Sequence, residues 1–356
     1  MRASIESARR NAERLRYAED HTHYRSYGDQ DRTPRVRDAF FRTGLLISPQ
    51  STPGLSNAFD KVCARLKLPR NHVDAFVHAS ADIQAECFVG ASDQCTIRFS
   101  SALVNLLDEH EFAFVAGHEL GHFLLGHGAN EEEKSETLEF FMQSRSQEIS
   151  VDRVGLVACG DLAVSIRALI KTISGLEHRH LKFDVGQFIS QLSGLSDRAR
   201  ADEVWNSHPS MLVRSRALLW FSMDNDLEGY PDSINRERVV VLDEKVKQDF
   251  RRYVDGPAHE KIEQCKHDLK MWLVALEIAK DGRFGNDEQN TFREMFGAEL
   301  LERLVSFFTD LSSDEVEEAV YERVRNAREQ LESVIPSTFE DVYAELCKTV
   351  TLKFTT

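Results

Sequence analysis

Long hydrophobic runs are missing from this chain of 356 residues. No apolar stretch approaches the ~20 residues that a membrane-spanning helix needs, so no membrane span is expected. A basic excess is missing too: 44 lysines and arginines face 59 aspartates and glutamates, a formal net charge of -15. That balance disfavours nucleic acid or an anionic membrane surface as a partner. Cysteine is scarce, and its six copies, Cys63, Cys87, Cys95, Cys159, Cys265 and Cys347, show no C-x-x-C spacing. With no apolar signal segment at the start, this usage predicts a reducing, cytoplasmic compartment and free thiols. Cys87 and Cys95 would pair across a hairpin only in an exported protein.

What remains is a globular composition, 42% hydrophobic and 29% charged, with length enough for two domains. Residues 1–50 form an arginine-rich N-terminal arm in which acids are mixed, and Ser4–Ala18 reads as a solvated helix. The turn-rich segment 48–54 carries two prolines and a glycine and marks the start of a compact domain at 51–234. Leu55, Phe59, Val62 and Leu66 have helical spacing. From His72 to Phe99 the texture changes to short alternating runs broken by turn residues, which predict three strands in a small antiparallel sheet. In the middle run Ile83, Ala85, Cys87 and Val89 share one face, with Gln84, Glu86 and Phe88 on the other. Beyond the turn cluster Gly229–Asn235 every segment has helical period, so an all-helical domain is expected over 235–356. The fold class is α+β and mainly helical.

Chemistry is concentrated in the stretch Phe114–Gly128, F-V-A-G-H-E-L-G-H-F-L-L-G-H-G. His118, Glu119 and His122 make the pattern H-E-x-x-H, which on a helix stacks two imidazoles on one face as half of a zinc site. Zinc wants roughly four tetrahedral ligands, so two remain to be found. Glu119 need not bind the metal, and its carboxylate suits a base that takes a proton from water. The bare pattern also arises by chance, but two imidazoles and a carboxylate among Phe112, Phe114, Val115, Phe123 and Leu124 are hard to explain as ordinary core. His127 does not fall where an H-E-x-x-H-x-x-G-x-x-H site would need it, and reads as a helix-end residue facing the C-terminal dipole. The acidic stretch Ala129–Ser135 reads as a solvated helix start.

A second helical segment, Leu138–Ala158, carries Glu148 and Asp152 four residues apart, hence on one face. Such a pair is commonly just a solvated surface. Here Ile149, Val151, Val154, Leu156 and Val157 surround it. Glu148 would complete a His₂Glu set that leaves one position for water, and Asp152 could accept the free N–H of a ligand histidine. His178 and His180 sit in a turn between packing helices and read as surface.

H-E-L-G-H, then E-x-x-x-D, then His208-Pro-Ser-x-x-x-Arg214 resembles the gluzincin endopeptidases of the HtpX and CAAX-prenyl-protease family over roughly Ser51–Asp224. The resemblance implies a zincin-like catalytic domain with one Zn²⁺ per chain, held by His118, His122 and Glu148. It further implies that His208 steadies the oxyanion and that Arg214 orients the site or the substrate. From the residues themselves, His208 before Pro209 opens the helix Met211–Ser222, where an imidazole can be aimed at a cleft or can simply enter the helix. Membrane members of that family carry spans that this chain lacks. Their Asn-Ala in the cleft strand corresponds to Gln84-Ala85, so that Gln84, Ala85, Glu86 and Cys87 become the candidate substrate strand. In the second domain the run from Trp272 through Asp281 and Phe284 to Glu288 resembles TerB-like helical domains, with a capped helix junction favoured over a cation site. The expected function is a soluble zinc endopeptidase acting on a protein or peptide. The alternatives are a catalytically silent zinc sensor or scaffold that binds a protein partner through its helical C-terminal domain, and a hydrolase of non-peptide amides.

Overall fold

The computed structural model describes residues 4–22, 33–89, 93–127, 136–182, 184–194, 204–280 and 284–354. The acidic stretch expected to start a helix at Ala129–Ser135 lies outside the described residues, as does Asp281. The chain divides into two compact units, Met1–Ser135 with Phe141–Asp255, and Glu136–Phe140 with Gly256–Thr356.

The first unit opens with helix α1 (Ile5–Glu13), capped by the Ser4 hydroxyl. Ile5, Ala8 and Ala12 recur at helical spacing, and all three are buried in the main core together with Leu15. The N-terminal arm is therefore not a solvated helix: its apolar stripe is narrow, built from alanines, and easily overlooked in an arginine-rich segment. Helix α2 (Thr33–Thr43), strand β1 (Leu45–Leu46) and helix α3 (Pro53–Arg65) follow. Pro53 suits the first turn of α3, where its missing N–H and fixed φ cost nothing. Strands β2 (Val73–His78), β3 (Ala85–Val89) and β4 (Cys95–Ser100) lead through the short helix α4 (Ser101–Leu106) into α5 (Glu109–Leu125). After these come α6 (Leu138–Cys159), α7 (Leu162–Ser174), α8 (Val185–Ser190), α9 (Met211–Asp224) and α10 (Arg236–Tyr253).

The sheet is mixed and four-stranded, in the order β1-β2-β4-β3, rather than the expected antiparallel three. Strand β2 runs parallel to β4 from Val73↔Cys95 to His78↔Ser100, while β3 pairs antiparallel with β4 and β1 with β2. The physical reason is chain length. Residues 79–94 exceed the dozen or so that a parallel crossover needs, so β3 can swing outward and β4 can return between it and β2. Strand β3 is left at the edge of the sheet and packs on α5.

Helices α5 and α6 approach unusually closely, and glycines make this approach feasible. A Cβ on Gly117 would lie 2.4 Å from the Ala158 Cβ, one on Gly155 2.8 Å from the Phe114 carbonyl oxygen, and one on Gly121 3.0 Å from Val151. Any larger side chain at these points would push the helices apart.

Helix α10, expected in the second domain, belongs to the first unit. Val239 and Leu242 enter the main core, and Val246, Phe250 and Tyr253 join a second cluster with Tyr17, Ile149, Val213 and Ala217. Two buried ion pairs tie the same segment down: Arg153 to Asp243 at 2.5 Å and Arg145 to Asp255 at 2.6 Å. The division thus falls after Asp255, not near Asn235. The second unit is built from α11 (Gly256–Lys280), α12 (Asn286–Phe296), α13 (Ala298–Thr309), α14 (Ser313–Val334) and α15 (Phe339–Phe354). Its longest helices, α11 and α14, pack along each other, and Leu269, Val274, Ala275, Val320 and Leu331 are buried. Glu288 caps its own helix by accepting from the Gly285 N–H at 2.7 Å. Among the described residues no helix is long and apolar enough to cross a membrane.

Candidate metal centre

Helix α5 is fixed at both ends. At its start Asp108 and Glu111 form a reciprocal capping box, and buried Glu111 also accepts from Lys171 Nζ at 2.7 Å and Arg167 Nε at 2.5 Å. At its end Gly126 takes the left-handed conformation, with φ of 74°, which a glycine adopts without penalty. Between these anchors His118, Glu119 and His122 project into the first unit, His118 and Glu119 buried and His122 half-buried.

The close contact of α5 with α6 brings Glu148 to the two histidines. Glu148 Oε2 is 3.6 Å from His118 Nε2, and Glu148 Oε1 is 3.6 Å from His122 Nε2. The three ligand atoms lie within 4.8 Å of one another. A tetrahedral ion with bonds of about 2.0–2.1 Å separates its ligands by about 3.4 Å, so the donor set needs little movement to close on a metal. Glu148 Oε2 is buried and has no hydrogen-bond partner; Arg214 Nη1 is 3.1 Å away but poorly aligned for one. A buried carboxylate oxygen left over in this way is an expected feature of a site built for a cation.

Both imidazoles are held from behind. His118 Nδ1 donates to Asp152 Oδ1 at 3.0 Å, which leaves the Nε2 lone pair facing Glu148. Asp152 is in turn gripped in a fork by Arg214, with Nε to Oδ2 at 2.7 Å and Nη2 to Oδ1 at 2.6 Å. His122 Nδ1 lies 3.0 Å from Nδ1 of His127, and His127 Nε2 lies 3.0 Å from Asp20 Oδ2. His127 is therefore not a residue facing the helix dipole: the left-handed turn at Gly126 folds it back under the helix it follows. Asp20 is buried and also accepts from Ser150 Oγ at 2.6 Å and Gln143 Nε2 at 3.2 Å.

Electrostatics set the groups apart: burial lowers the His118 imidazole, but Glu148 and Asp152 outweigh it and raise it. Burial raises the Asp152 carboxyl, but the Arg214 charge and the hydrogen bonds from Arg214 and His118 outweigh it and hold it down at about 2. Asp20 is likewise held well below the usual carboxylate range, because its bond to His127 and the charges around it outweigh its burial. Burial, reinforced by His127 and His118, keeps His122 well below the ordinary imidazole value and hence neutral, the form that ligates metals. Glu119 goes the other way. Burial, with Glu148 and Glu86 adding to it against His118 and Arg214, pushes its carboxyl up to about 7.

The remaining candidate residues separate into buried and exposed. Arg214 is only 4% exposed at its side chain; it donates two hydrogen bonds to Asp152 and lies within ion-pair distance of Glu148, so it offers no direct face to solvent. His208 is 63% exposed, with Nε2 3.5 Å from Glu148 Oε1 and Nδ1 2.9 Å from Ser207 Oγ. It borders an open cleft of about 400 Å³ lined also by Ile173, Asn206, Pro209 and Met211. Gln84 precedes β3 and is tied to Ser100, its carbonyl accepting from the Ser100 N–H at 3.0 Å and its own N–H donating to Ser100 Oγ at 3.2 Å. On β3 itself Ala85 lies opposite Phe99, Glu86 opposite Arg98 with which it forms an ion pair, and Cys87 opposite Ile97. His178 and His180 are exposed in a short 3₁₀ turn. Asp20 was not legible as a site residue, since it is carried by the N-terminal segment with no pattern around it. His127 had a local signal, its position just past the helix, but not the backbone reversal that aims it.

Residues 49–144 match the family model described as Peptidase family M48. The match takes in strands β2 to β4, α5 with its H-E-x-x-H pattern, and the start of α6, and it ends before Glu148. Read with the donor set, it supports a zinc metallopeptidase of that family. Comparison with curated proteins and with solved structures gives no match.

Proposed function

We propose that the first unit is a zinc-dependent endopeptidase whose metal is held by His118, His122 and Glu148. One observation carries the reading: beside three converging ligands stands Glu119, buried and next to His118 in the chain, a carboxylate that the ligand set does not use. A purely structural zinc site has no use for such a spare carboxylate, whereas a hydrolytic one needs it as a base. A zinc ion bound there supplies Lewis acidity, acidifying water and polarising a carbonyl. Glu119 takes the proton of the attacking water and hands it to the leaving amine. His208, the exposed imidazole beside the ligand cluster, donates to the oxyanion as the peptide carbonyl becomes tetrahedral. Asp152 and Arg214 keep His118 and Glu148 in register.

The free edge of β3 supports a peptide as substrate. Its outer side has no partner strand among the described residues, and the strand packs on the helix that carries Glu119. An extended peptide can add there as one more strand, its backbone amides satisfied and its carbonyl presented to the site. Gln84, Ala85, Glu86 and Cys87 line that edge. The likeness to HtpX and CAAX-prenyl proteases, and that of the second unit to TerB-like domains, belong to this reading, with the helical unit recruiting or positioning a protein partner.

The test is Glu119→Gln. Zinc content measured on the purified variant should stay at one ion per chain while cleavage of a peptide library is lost. Wild-type protein with full zinc and no cleavage of any peptide would overturn the reading in favour of a silent scaffold or a different amide substrate.

A further inference from the structure

The two histidine ligands are not held alike. His118 leans on a carboxylate directly, whereas His122 reaches one through a second imidazole. From His122 Nδ1 to His127 Nδ1 is 3.0 Å, and from His127 Nε2 to Asp20 Oδ2 is 3.0 Å. All of His127 and Asp20 is buried, 2% and 3% exposed, so no water competes for these bonds.

With His127 neutral, proton counting gives the direction of the chain. Asp20 is a carboxylate and can only accept, so His127 carries its proton on Nε2. The Nδ1 of a neutral His127 is then bare, and it can only accept from His122 Nδ1–H. His122 is left with an unprotonated Nε2, the atom that faces Glu148. Asp20 is itself immobilised by Ser150 Oγ at 2.6 Å and by the Arg16 guanidinium at 3.1 Å.

We propose that Asp20 and His127 form a positioning relay that fixes the tautomer and ring orientation of His122, so that the N-terminal segment is a working part of the metal centre. This inference rests on the reading of His122 as a ligand. It adds two residues that touch neither substrate nor metal and act only through His122. Outer partners of ligand histidines typically matter by about 10–100-fold in metal affinity.

The decisive variants exploit atom positions. Asparagine places its Oδ1 where histidine has Nδ1, so His127→Asn keeps the acceptor for His122 and cuts only the link to Asp20. His127→Phe keeps a ring and removes the acceptor. Zinc affinity of the full chain, measured by competition with a chromophoric chelator, should fall about 10–100-fold in His127→Phe and be largely restored in His127→Asn. Asp20→Asn should weaken zinc in the wild-type background and have little further effect beside His127→Asn. A second readout needs neither zinc nor a variant. Nitrogen-15 NMR of metal-free protein labelled at histidine should show His122 protonated at Nδ1 and His127 at Nε2. Wild-type zinc affinity in His127→Phe, equal losses in the Phe and Asn variants, or a His122 proton on Nε2 would each overturn the relay. If wild type takes up no zinc, the metallopeptidase reading fails instead, and the NMR result still judges the relay. Should His127→Phe not fold, the Asp20→Asn variant and the NMR measurement decide.

Discussion

At Glu119 and Asp249 burial is the largest influence on a carboxyl, and it acts in the same direction at both. General-base help is worth about 10²–10⁴ in rate, so the glutamine variant at Glu119 should lose at least that much in kcat, with KM much less affected. Steady-state kinetics on any cleaved peptide would check it. Asp249 is a test of burial away from the site. It is buried, one of its oxygens has no hydrogen-bond partner, and Arg216 meets the other at 2.7 Å. Burial outweighs Arg216 and Arg252 and pushes its carboxyl up to about 6. Between the unfolded value of about 3.9 and the folded value, the native state binds more protons than the unfolded chain, so stability declines as pH rises through that window. Urea titrations at pH 4 and pH 6 should show that decline in wild type and a smaller one in Asp249→Asn. At this scale the sequence was most informative where spacing encodes a face: His118 with His122, and Glu148 with Asp152, each pair four apart on a helix. Asp20 could not be read the same way, because what gives it a role is a partner at position 127 brought near by folding.

Among the elements, the contact of α5 with α6 sets the metal centre, since one supplies the histidines and the other the carboxylates. Gly117 and Gly121 on one helix and Gly155 on the other let the backbones meet. Gly117→Ala gains helix propensity but drives a methyl to 2.4 Å from Ala158, so overpacking should win, at a cost of about 1–3 kcal/mol. Zinc affinity should fall with it, because a wider spacing moves Glu148 away from both imidazoles. Denaturant melts and chelator competition on the same preparation would show whether the two losses occur together. Helical elements were legible in the sequence because their apolar period is local. The strand order was not: alternation in Ala85–Val89 and Cys95–Ser100 says that strands exist, while their neighbours depend on the route taken by residues 79–94.

For the whole molecule, metal binding and folding should be linked. Ligands gathered from α5 and α6 have no preformed arrangement in the unfolded chain, so zinc stabilises the native state by RT ln(1 + [Zn]/Kd), about 2.7 kcal/mol at a hundredfold excess over Kd. Chelation should lower the Tm of the first unit and added zinc should restore it, whereas the melting of the second unit should not respond. The place where one unit ends and the other begins was hidden in the sequence for a related reason. Helix α10 has an apolar face, as the helices of the helical unit do, and its spacing does not say which core Val239, Leu242 and Phe250 will enter. The burial of these residues in the first unit's clusters and the Arg153–Asp243 pair, closed across a long separation, assign it.

Anomalous diffraction at the zinc edge, from crystals grown with one equivalent of the metal, tests the coordination on which all of this depends. A single peak should appear at about 2.0–2.2 Å from Nε2 of His118, Nε2 of His122 and an oxygen of Glu148, with solvent as the fourth neighbour and Glu119 beside it. A peak elsewhere, a Glu148 turned away from it, or the fourth position closed by a protein side chain such as His208 would contradict the account.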